Sequence, residues 1–164
     1  MEENVCPKAS LAALPPELAV YHCWLLAFAA HQMNTRVGCD LRALGLSFRS
    51  FAVLTVLSGE STPSQLQLAH RVGLDKTTMM ATLDELEKDG LVIRGRSKKD
   101  RRVNVIQLTH KGRSRLTRAR SLIDAKEMEA LAGLTAGEGK QLFVLLSKLG
   151  ESLNASLPAA GSCV

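Results

Sequence analysis

The chain has 164 residues, of which 46% are hydrophobic, and carries a formal net charge of +5 at pH 7. This length fits one domain with a sizeable apolar core. Glu2 and Glu3 stand where a secretion signal would be positive, and no apolar run approaches the roughly 18 residues of a membrane span, which argues against export and membrane insertion. We therefore expect a cytoplasmic protein.

Two helices are predicted before residue 60. The first runs from Glu17 to Val37, after the helix-breaking pair Pro15-Pro16, and its apolar residues cover so much of its circumference that we expect burial from several sides. The second runs from Phe48 to Leu57 after Gly45-Leu46-Ser47. Its predicted core residues are Phe51, Val53, Leu54 and Leu57.

Two more helices are separated by a short turn. The segment from Ser64 to Val72 places Leu66, Ala69 and Val72 at helical spacing, and Gly73-Leu74-Asp75 then turns the chain. The next helix, from Asp75 to Asp89, has a narrow apolar stripe and ends before Gly90, a residue favoured just past a helix. This stripe consists of Met79, Leu83 and Leu86.

A β-hairpin follows. Leu91 to Arg94 and Val103 to Leu108 are β-branched and apolar, so they indicate two strands around a polar loop from Gly95 to Arg102. Thr109 caps a helix from about His110 to Ala132, and Thr135 to Glu138 has the spacing of a capping box before a last helix that ends ahead of Pro158. The predicted fold is mainly α with a small β component, a winged helix-turn-helix with flanking long helices.

The charge distribution indicates what this unit binds. Between Arg94 and Arg120 there are eleven Lys or Arg residues and one acid, Asp100, so this segment carries +10 and the rest of the chain −5. A solvated surface normally mixes both signs, whereas a basic hairpin beside an open helix is typical of a protein that binds the phosphate backbone of DNA.

Three motifs resemble the multiple antibiotic resistance regulator (MarR) family of dimeric winged-helix transcription regulators. They are Leu86-Glu87-Lys88-Asp89-Gly90-Leu91-Val92, Asp100-Arg101-Arg102 and Leu108-Thr109-His110-Lys111-Gly112. The resemblance covers about Leu46 to Gly112. It implies a single domain over residues 1–164, with a DNA-binding lobe at about 46–109 and dimerisation helices at about 16–45 and 110–157.

The helix after Asp75 is predicted to read the major groove. Lys76 and Thr77 can donate hydrogen bonds to phosphates or bases, whereas Met80 and Ala81 can only touch apolar edges such as a thymine methyl group. Core packing is the alternative for Met80. Family members often carry Ser or Thr at Met80 and Arg at Ala81, so this chain is expected to depend more on methyl contacts and on an AT-rich operator.

In the hairpin loop, Arg102 resembles the family arginine that enters the minor groove, and Asp100 resembles the carboxylate that fixes the loop. Narrow AT-rich minor grooves attract a guanidinium group. The complete predicted DNA-binding set is Ser64, Gln65, Asp75, Lys76, Thr77, Thr78, Met80, Ala81, Arg94, Lys98, Lys99, Asp100, Arg101, Arg102 and Lys111.

The terminal helices carry more apolar surface than one protomer can bury, which predicts a homodimer on a palindromic operator. A small aromatic or anionic effector is expected near Trp24, Phe28 and His31, because related regulators bind such molecules between the dimer helices and the DNA-binding unit. Plain core packing is the alternative for these three residues.

The four cysteines, Cys6, Cys23, Cys39 and Cys163, lack zinc-site spacing and are expected to be free thiols. Cys23 is a redox candidate because a peroxide-sensing branch of the family uses a cysteine in this helix, although a mid-helix apolar position would raise its thiol pKa. The histidines lack HxxxH or HExxH spacing, and no phosphate loop or GxSxG motif occurs, so no metal, cofactor or enzyme activity is expected.

The sequence therefore predicts a nucleoid-associated, sequence-specific regulator of double-stranded DNA that represses transcription until a small molecule releases it. Two alternatives share the scaffold. One is a thiol-based oxidant sensor that uses Cys23, and the other is an architectural DNA-binding protein without an effector. A regulator should prefer its operator by roughly 10³-fold or more, whereas an architectural protein should bind most sequences alike.

Overall fold

A computed structural model describes residues 14–59, 63–96 and 104–156 of the chain. The chain forms two compact units, a first unit Met1–Lys126 and a second unit Glu127–Val164. Six helices and one β-hairpin follow in the predicted order within the described residues. They are α1 His22–Ala43, α2 Phe48–Leu57, α3 Gln65–Val72, α4 Lys76–Lys88, β1 Val92–Arg96, β2 Asn104–Leu108, α5 His110–Ala130 and α6 Ala136–Ser156.

The first helix is displaced from its predicted bounds. Residues 16–20 form turns, Tyr21 is extended, and α1 then continues through Gly38 to Ala43. The pair Pro15-Pro16 therefore does not mark the start of α1. At the other end, Gly38 does not stop the helix, because a glycine inside a helix costs only about 1 kcal/mol of stability. The burial of Gly38 and its neighbours Val37 and Leu41 offsets this cost, so the predicted end at Val37 is wrong.

The hydrophobic core lies in the first unit. All buried apolar side chains among the described residues belong to it, whereas no described residue of the second unit is buried. The core draws on α1, α2, α3, α4, the hairpin and α5. Its largest fully buried side chains are Leu41, Leu54, Leu68, Met79, Leu83, Leu86, Leu91, Ile106, Val53 and Val92.

The helix-turn-helix forms by local capping followed by packing. The α3 helix ends at Gly73, whose φ of 71° is a left-handed conformation that glycine adopts without strain. The apolar stripe of α3 differs from the prediction, because Leu66 is 68% exposed while Leu68 is buried with Ala69. Leu66 lies three residues before Ala69 and Leu68 four residues before Val72, so helical spacing fits both, and the contacts of α3 with α2 and α4 select Leu68.

The hairpin is an antiparallel ladder that we call the wing. Its register runs from Val92↔Leu108 to Arg96↔Asn104, so β1 extends two residues beyond its predicted end at Arg94. The N-terminus of α3 joins the free edge of β2 through a bridge between Ser64 and Val105. The base of the wing is therefore continuous with the helix-turn-helix.

The N-terminal part of α1 and the two residues before it are exposed in one protomer, so the protomer alone does not provide the predicted burial from several sides. Val20 is 71% exposed, and Tyr21, Trp24 and Leu25 are each more than 40% exposed. The second unit shows an apolar surface of its own on α6, where Phe143 is 72% and Leu145 55% exposed. A single protomer leaves both surfaces uncovered.

Candidate nucleic-acid interface

The reading helix α4 is held to the protein by one face. Met79, Leu83 and Leu86 are at most 2% exposed, which confirms the predicted stripe, and Thr82 is buried beside them. A helix of 13 residues is marginal in isolation, so this packing holds it in place. The opposite face is open, and its exposed residues include Lys76, Thr77, Met80, Ala81 and Asp84.

The exposure of Met80 decides between its two interpretations. Its side chain is 48% exposed, so core packing is wrong for this residue. Its thioether lies on the open face together with the methyl group of Ala81. Both groups suit van der Waals contact with a thymine methyl group and neither donates a strong hydrogen bond.

Asp75 and Thr78 form the N-terminal cap of α4. The Asp75 carboxylate accepts hydrogen bonds from the Thr78 backbone N–H at 2.9 Å and from the Thr78 hydroxyl at 2.5 Å. The hydroxyl hydrogen bond is the main cause that lowers the pKa of Asp75 below its ordinary 3.8. Both side chains were predicted to contact DNA, but their polar groups already serve the helix start.

Ser64 has a similar structural role at the start of α3. Its hydroxyl accepts from the Gln67 backbone N–H at 3.3 Å, while the Gln67 side chain accepts from the Ser64 backbone N–H at 2.9 Å. This reciprocal capping box fixes the entry into the helix-turn-helix. The neighbouring Gln65 is half-buried and lies in the first turn of α3.

Arg94 connects the wing to the reading helix. Its Nη1 donates to Glu87 Oε2 at 2.6 Å, its Nη2 donates to Asp84 Oδ1, and its backbone N–H donates to Glu87 Oε1 at 3.1 Å. The hydrogen bond to Asp84 is the main cause that raises the pKa of Arg94 above its ordinary value. This guanidinium group, predicted to contact DNA, is occupied by two carboxylates of α4.

The tip of the wing lies outside the described residues. Five predicted DNA-binding residues belong to it, so their contacts stay predictions: Lys98, Lys99, Asp100, Arg101 and Arg102. At the described end of β1, Arg96 is exposed.

Hydrogen bonds of Thr109 join the start of α5 to the segment that follows α4. The Thr109 hydroxyl donates to Gly90 O at 2.8 Å and accepts from the Gly112 backbone N–H at 2.9 Å. A Cβ at Gly112 would overlap Leu91 O and lie 2.8 Å from Leu108 Cδ1. Close backbone approach therefore requires glycine in the motif Leu-Thr-x-x-Gly.

Lys111 also makes an internal contact, because its Nζ donates to Asp89 O at 2.7 Å. A cation at this position satisfies a terminal carbonyl of α4 and interacts favourably with the helix dipole. The predicted phosphate contact of Lys111 thus competes with a helix-capping role.

Part of the basic excess of this segment is used inside the protein. Arg115 donates to Leu44 O, and Arg120 donates to Ser58 Oγ at 2.7 Å. With Arg94 and Lys111, four basic residues in the described part of the segment therefore hold neighbouring elements together. The charge free to face DNA is smaller than the sequence total of +10.

A cleft of about 530 Å³ separates the first turn of α2 from the open face of α4. Arg49 lines it on the α2 side, opposite Thr77, Thr78 and Ala81. The sequence prediction missed Arg49, because only the packing of α2 on α4 brings it beside the reading helix. Ser47 caps α2 by accepting a hydrogen bond from the Ser50 backbone N–H at 3.0 Å. In the sequence, this residue indicated where α2 begins but not which residues Arg49 would lie beside.

The predicted effector residues follow one another along α1. Trp24 and His31 are exposed and Phe28 is half-buried. Trp24 is 48% exposed in one protomer, so it does not pack in the core of the first unit. The effector site and the burial of these residues in a dimer stay predictions.

The cysteines differ from the prediction at one position. Cys23 is free and exposed, but it is the second residue of α1 and not a mid-helix residue. Cys39 is disulfide-bonded, so the expectation of free thiols is wrong there. Disulfide formation depends on Cα atoms brought within about 7 Å by the fold, which spacing along a sequence does not reveal. Cys6 and Cys163 lie outside the described residues.

No cluster of three or more His, Cys, Asp or Glu side chains within the described ranges has metal-binding geometry. None of the helices in these ranges is both long and apolar enough to cross a membrane.

Comparison with known proteins supports the same kind of molecule. The sequence model of the MarR family matches residues 44–103. The transcriptional repressor CouR, solved bound to a 23-mer DNA duplex, is 27% identical with a TM-score of 0.77, and the match covers 85% of this chain and 99% of that chain. CouR from Rhodococcus jostii RHA1 bound to p-coumaroyl-CoA is 28% identical with a TM-score of 0.72, covering 80% and 93%.

A third relative carries a different small molecule. The MarR family protein Rv2887 of Mycobacterium tuberculosis, in complex with p-aminosalicylic acid, is 29% identical with a TM-score of 0.65, and the match covers 79% of this chain and 98% of that chain. The capped reading helix, the wing and these similarities agree on one assignment. Residues 44–103 match the MarR family model, and the fold is similar to that of MarR-family winged helix-turn-helix transcription regulators, which bind DNA and are not enzymes.

Proposed function

We propose that the protein is a repressor that binds a palindromic operator as a homodimer and is released by a small aromatic or anionic effector. The observation that carries this proposal is the open face of α4, where Lys76, Thr77, Met80 and Ala81 lie opposite a fully buried stripe. A helix fixed on one side and open on the other can enter the major groove without disturbing the core.

The proposed DNA contacts fall into two groups. On α4, Lys76 and Thr77 donate hydrogen bonds, while Met80 and Ala81 touch thymine methyl groups. In the wing, Arg102 enters an AT-rich minor groove beside the loop residue Asp100, and three basic residues contact phosphates: Lys98, Lys99 and Arg101.

Arg49 extends the proposed interface to α2. It lines the same cleft as Thr77 and Ala81, so a DNA strand beside these residues lies within reach of its guanidinium group. Phosphates flank the edges of the major groove, and arginine suits their geometry. We assign Arg49 a phosphate contact on the side of α4 opposite the wing.

A second copy of this chain is the proposed cover for the exposed apolar surfaces. Val20 on the approach to α1 and Phe143 on α6 are both more than 70% exposed, which is unfavourable in a monomer. We assign dimerisation to helices at about 16–45 and 110–157 and DNA binding to about 46–109. Two reading helices about 34 Å apart would then match a palindrome.

The proposed effector site contains Trp24, Phe28 and His31. Aromatic rings and one imidazole suit a ring-bearing acid. Support comes from relatives of similar fold that bind p-coumaroyl-CoA and p-aminosalicylic acid, respectively. The same scaffold in this chain would act on chromosomal DNA in the cytoplasm.

Operator selection on fragments from the upstream region of its own gene tests the proposal. The wild-type protein should prefer the operator over a scrambled duplex by roughly 10³-fold or more, measured by fluorescence polarisation at fixed salt. A preference below about tenfold would favour the architectural alternative. A panel of phenolic acids and their thioesters should contain a compound that lowers operator affinity by a coupling of about 1 to 3 kcal/mol.

Oxidant sensing is tested in the same assay. Peroxide should release wild type and the Cys23→Ser variant equally, because the repressor proposal assigns no switching role to this thiol. Release of wild type alone would establish the sensor alternative.

A further inference from the structure

The contacts of Arg94 point to a role other than DNA binding. We propose that Arg94 is a positioning residue that fixes the wing to the reading helix, so that both elements meet DNA in one register. This inference rests on the proposed DNA-reading function and assigns to Arg94 no contact with DNA.

Arg94 bridges two carboxylates of α4, Asp84 and Glu87, and we call these contacts the clamp. Asp84 and Glu87 are three residues apart on α4 and therefore lie on the same side of the helix. Arg94 donates to both carboxylates through separate nitrogens, and its backbone N–H occupies the second oxygen of Glu87. The side chain of Arg94 is only 33% exposed, although it projects from a strand next to solvent.

The local charge also argues against a phosphate contact. One guanidinium group and two carboxylates give this cluster a net charge of −1. A DNA phosphate that approached Arg94 would meet the two carboxylates and would have to compete with hydrogen bonds already formed. Arg96, two residues further along β1, is exposed and has no ion pair with a described residue.

The clamp determines where the wing begins. Because β1 pairs with β2 along its whole length, fixing Arg94 orients both strands relative to α4. Contacts from Thr109 to Gly90 O and from Lys111 to Asp89 O hold the end of α4 against the start of α5. Arg94 in addition fixes β1, the strand that leads to the tip of the wing, to α4.

Salt dependence distinguishes positioning from phosphate binding. Each phosphate neutralised by a cation contributes about 0.9 to the slope of log K against log salt. Removing a phosphate contact lowers the slope, whereas loosening the wing base lowers affinity through geometry. Arg96→Gln is the matched control, because it removes an exposed arginine on the same strand without touching the clamp.

The experiment measures operator and scrambled-duplex affinity over a salt series for wild type, Arg94→Gln, Arg94→Lys and Arg96→Gln, with circular dichroism as the folding control. We expect Arg94→Gln to weaken operator binding about fivefold, the scale of two exposed ion pairs, with an unchanged slope. Arg94→Lys should lose nearly as much, because an ammonium group lacks the fork that bridges two carboxylates. We assign the exposed Arg96 a phosphate contact, so Arg96→Gln should lower the slope by about 0.9.

Two results would overturn the proposal. One is a reduced slope for Arg94→Gln together with wild-type affinity for Arg94→Lys, which identifies a phosphate ligand. The other is wild-type affinity for Arg94→Gln. Loss of operator preference in the wild type would instead refute sequence-specific regulation, and the slopes on the scrambled duplex would still test Arg94.

Discussion

Replacing Gly112 by alanine should destabilise the protein although alanine is the better helix former. The new Cβ would overlap Leu91 O and lie 2.8 Å from Leu108 Cδ1, inside the 3.0 Å that real Cβ atoms respect. The obstacle is a backbone carbonyl and not the end of a flexible side chain. Leu91 O already accepts from Thr109 N and Thr109 Oγ1, both at 3.1 Å.

The magnitude follows from these contacts. If Leu91 O retreats, its hydrogen bond from Thr109 N lengthens past the usual limit of about 3.2 Å, at about 1 kcal/mol, whereas the single proton of the Thr109 hydroxyl keeps Gly90 O as its nearer acceptor. Residual overpacking costs about 1 to 3 kcal/mol, and the helix propensity of alanine returns about 1 kcal/mol. We therefore expect a net loss of about 2 kcal/mol in the free energy of unfolding.

Urea unfolding followed by circular dichroism measures this loss, at one protomer concentration because dimerisation would add to stability. Gly139→Ala is the matched control, since Gly139 also lies in the first turns of a helix but has no atom within 4 Å of the added Cβ. It should gain about 0.5 to 1 kcal/mol. A free energy of unfolding for Gly112→Ala within about 0.5 kcal/mol of the wild-type value would contradict the close approach of Leu91 O to Gly112.

Three further predictions concern the cap, the wing and the dimer. Because Thr78 lowers the pKa of Asp75 below 3.8, the Asp75 carboxylate stabilises the fold above that pH and loses its effect as the pH falls through the lowered pKa. The difference in Tm between wild type and Asp75→Ala should therefore shrink in acid, and a difference independent of pH would contradict the cap. Arg102→Ala should cost roughly 1 to 3 kcal/mol of binding free energy on operators with AT-rich flanks and less with GC-rich flanks, measured by fluorescence polarisation; equal losses would mean that the wing only neutralises charge. The double substitution Phe143→Glu/Leu145→Glu should give a monomeric mass by light scattering at micromolar concentration, because each lost apolar contact is worth about 1.5 to 3 kcal/mol. Lys148→Glu on the same helix is the charge control, and a double variant that stays dimeric would exclude this face of α6 from the interface.

Local patterns predicted the reading helix well. The spacing of Met79, Leu83 and Leu86 identified its buried face, and Asp75 and Gly90 marked its ends, because caps and helical periodicity act over only a few residues. The order of helices and strands was confirmed for the same reason. The tip of the wing, by contrast, stays a sequence-based prediction.

Contacts between distant residues were not predictable from these patterns. Arg94 and Lys111 were both assigned to DNA because they are basic and close to the wing, yet the fold gives them acceptors on α4, including Asp84 and Asp89. Arg49 was missed because its neighbours in the cleft are about 30 residues away in sequence. A count of positive charges does not distinguish cations that face a ligand from those that join elements.

The junction around Leu91 has a consequence for how the protein opens. Leu91 N donates to Leu86 O, Leu91 O accepts from Thr109 N, and the single proton of the Thr109 hydroxyl is shared between Gly90 O and Leu91 O. Separating the start of α5 breaks its contacts with both Gly90 and Leu91, and separating Leu91 breaks its contacts with both α4 and Thr109. The amide hydrogens of the end of α4, the start of β1 and the first turn of α5 should therefore exchange with solvent through one shared opening event. The base of the wing and the end of the reading helix would then form a single cooperative unit, and a destabilised protein would lose both together.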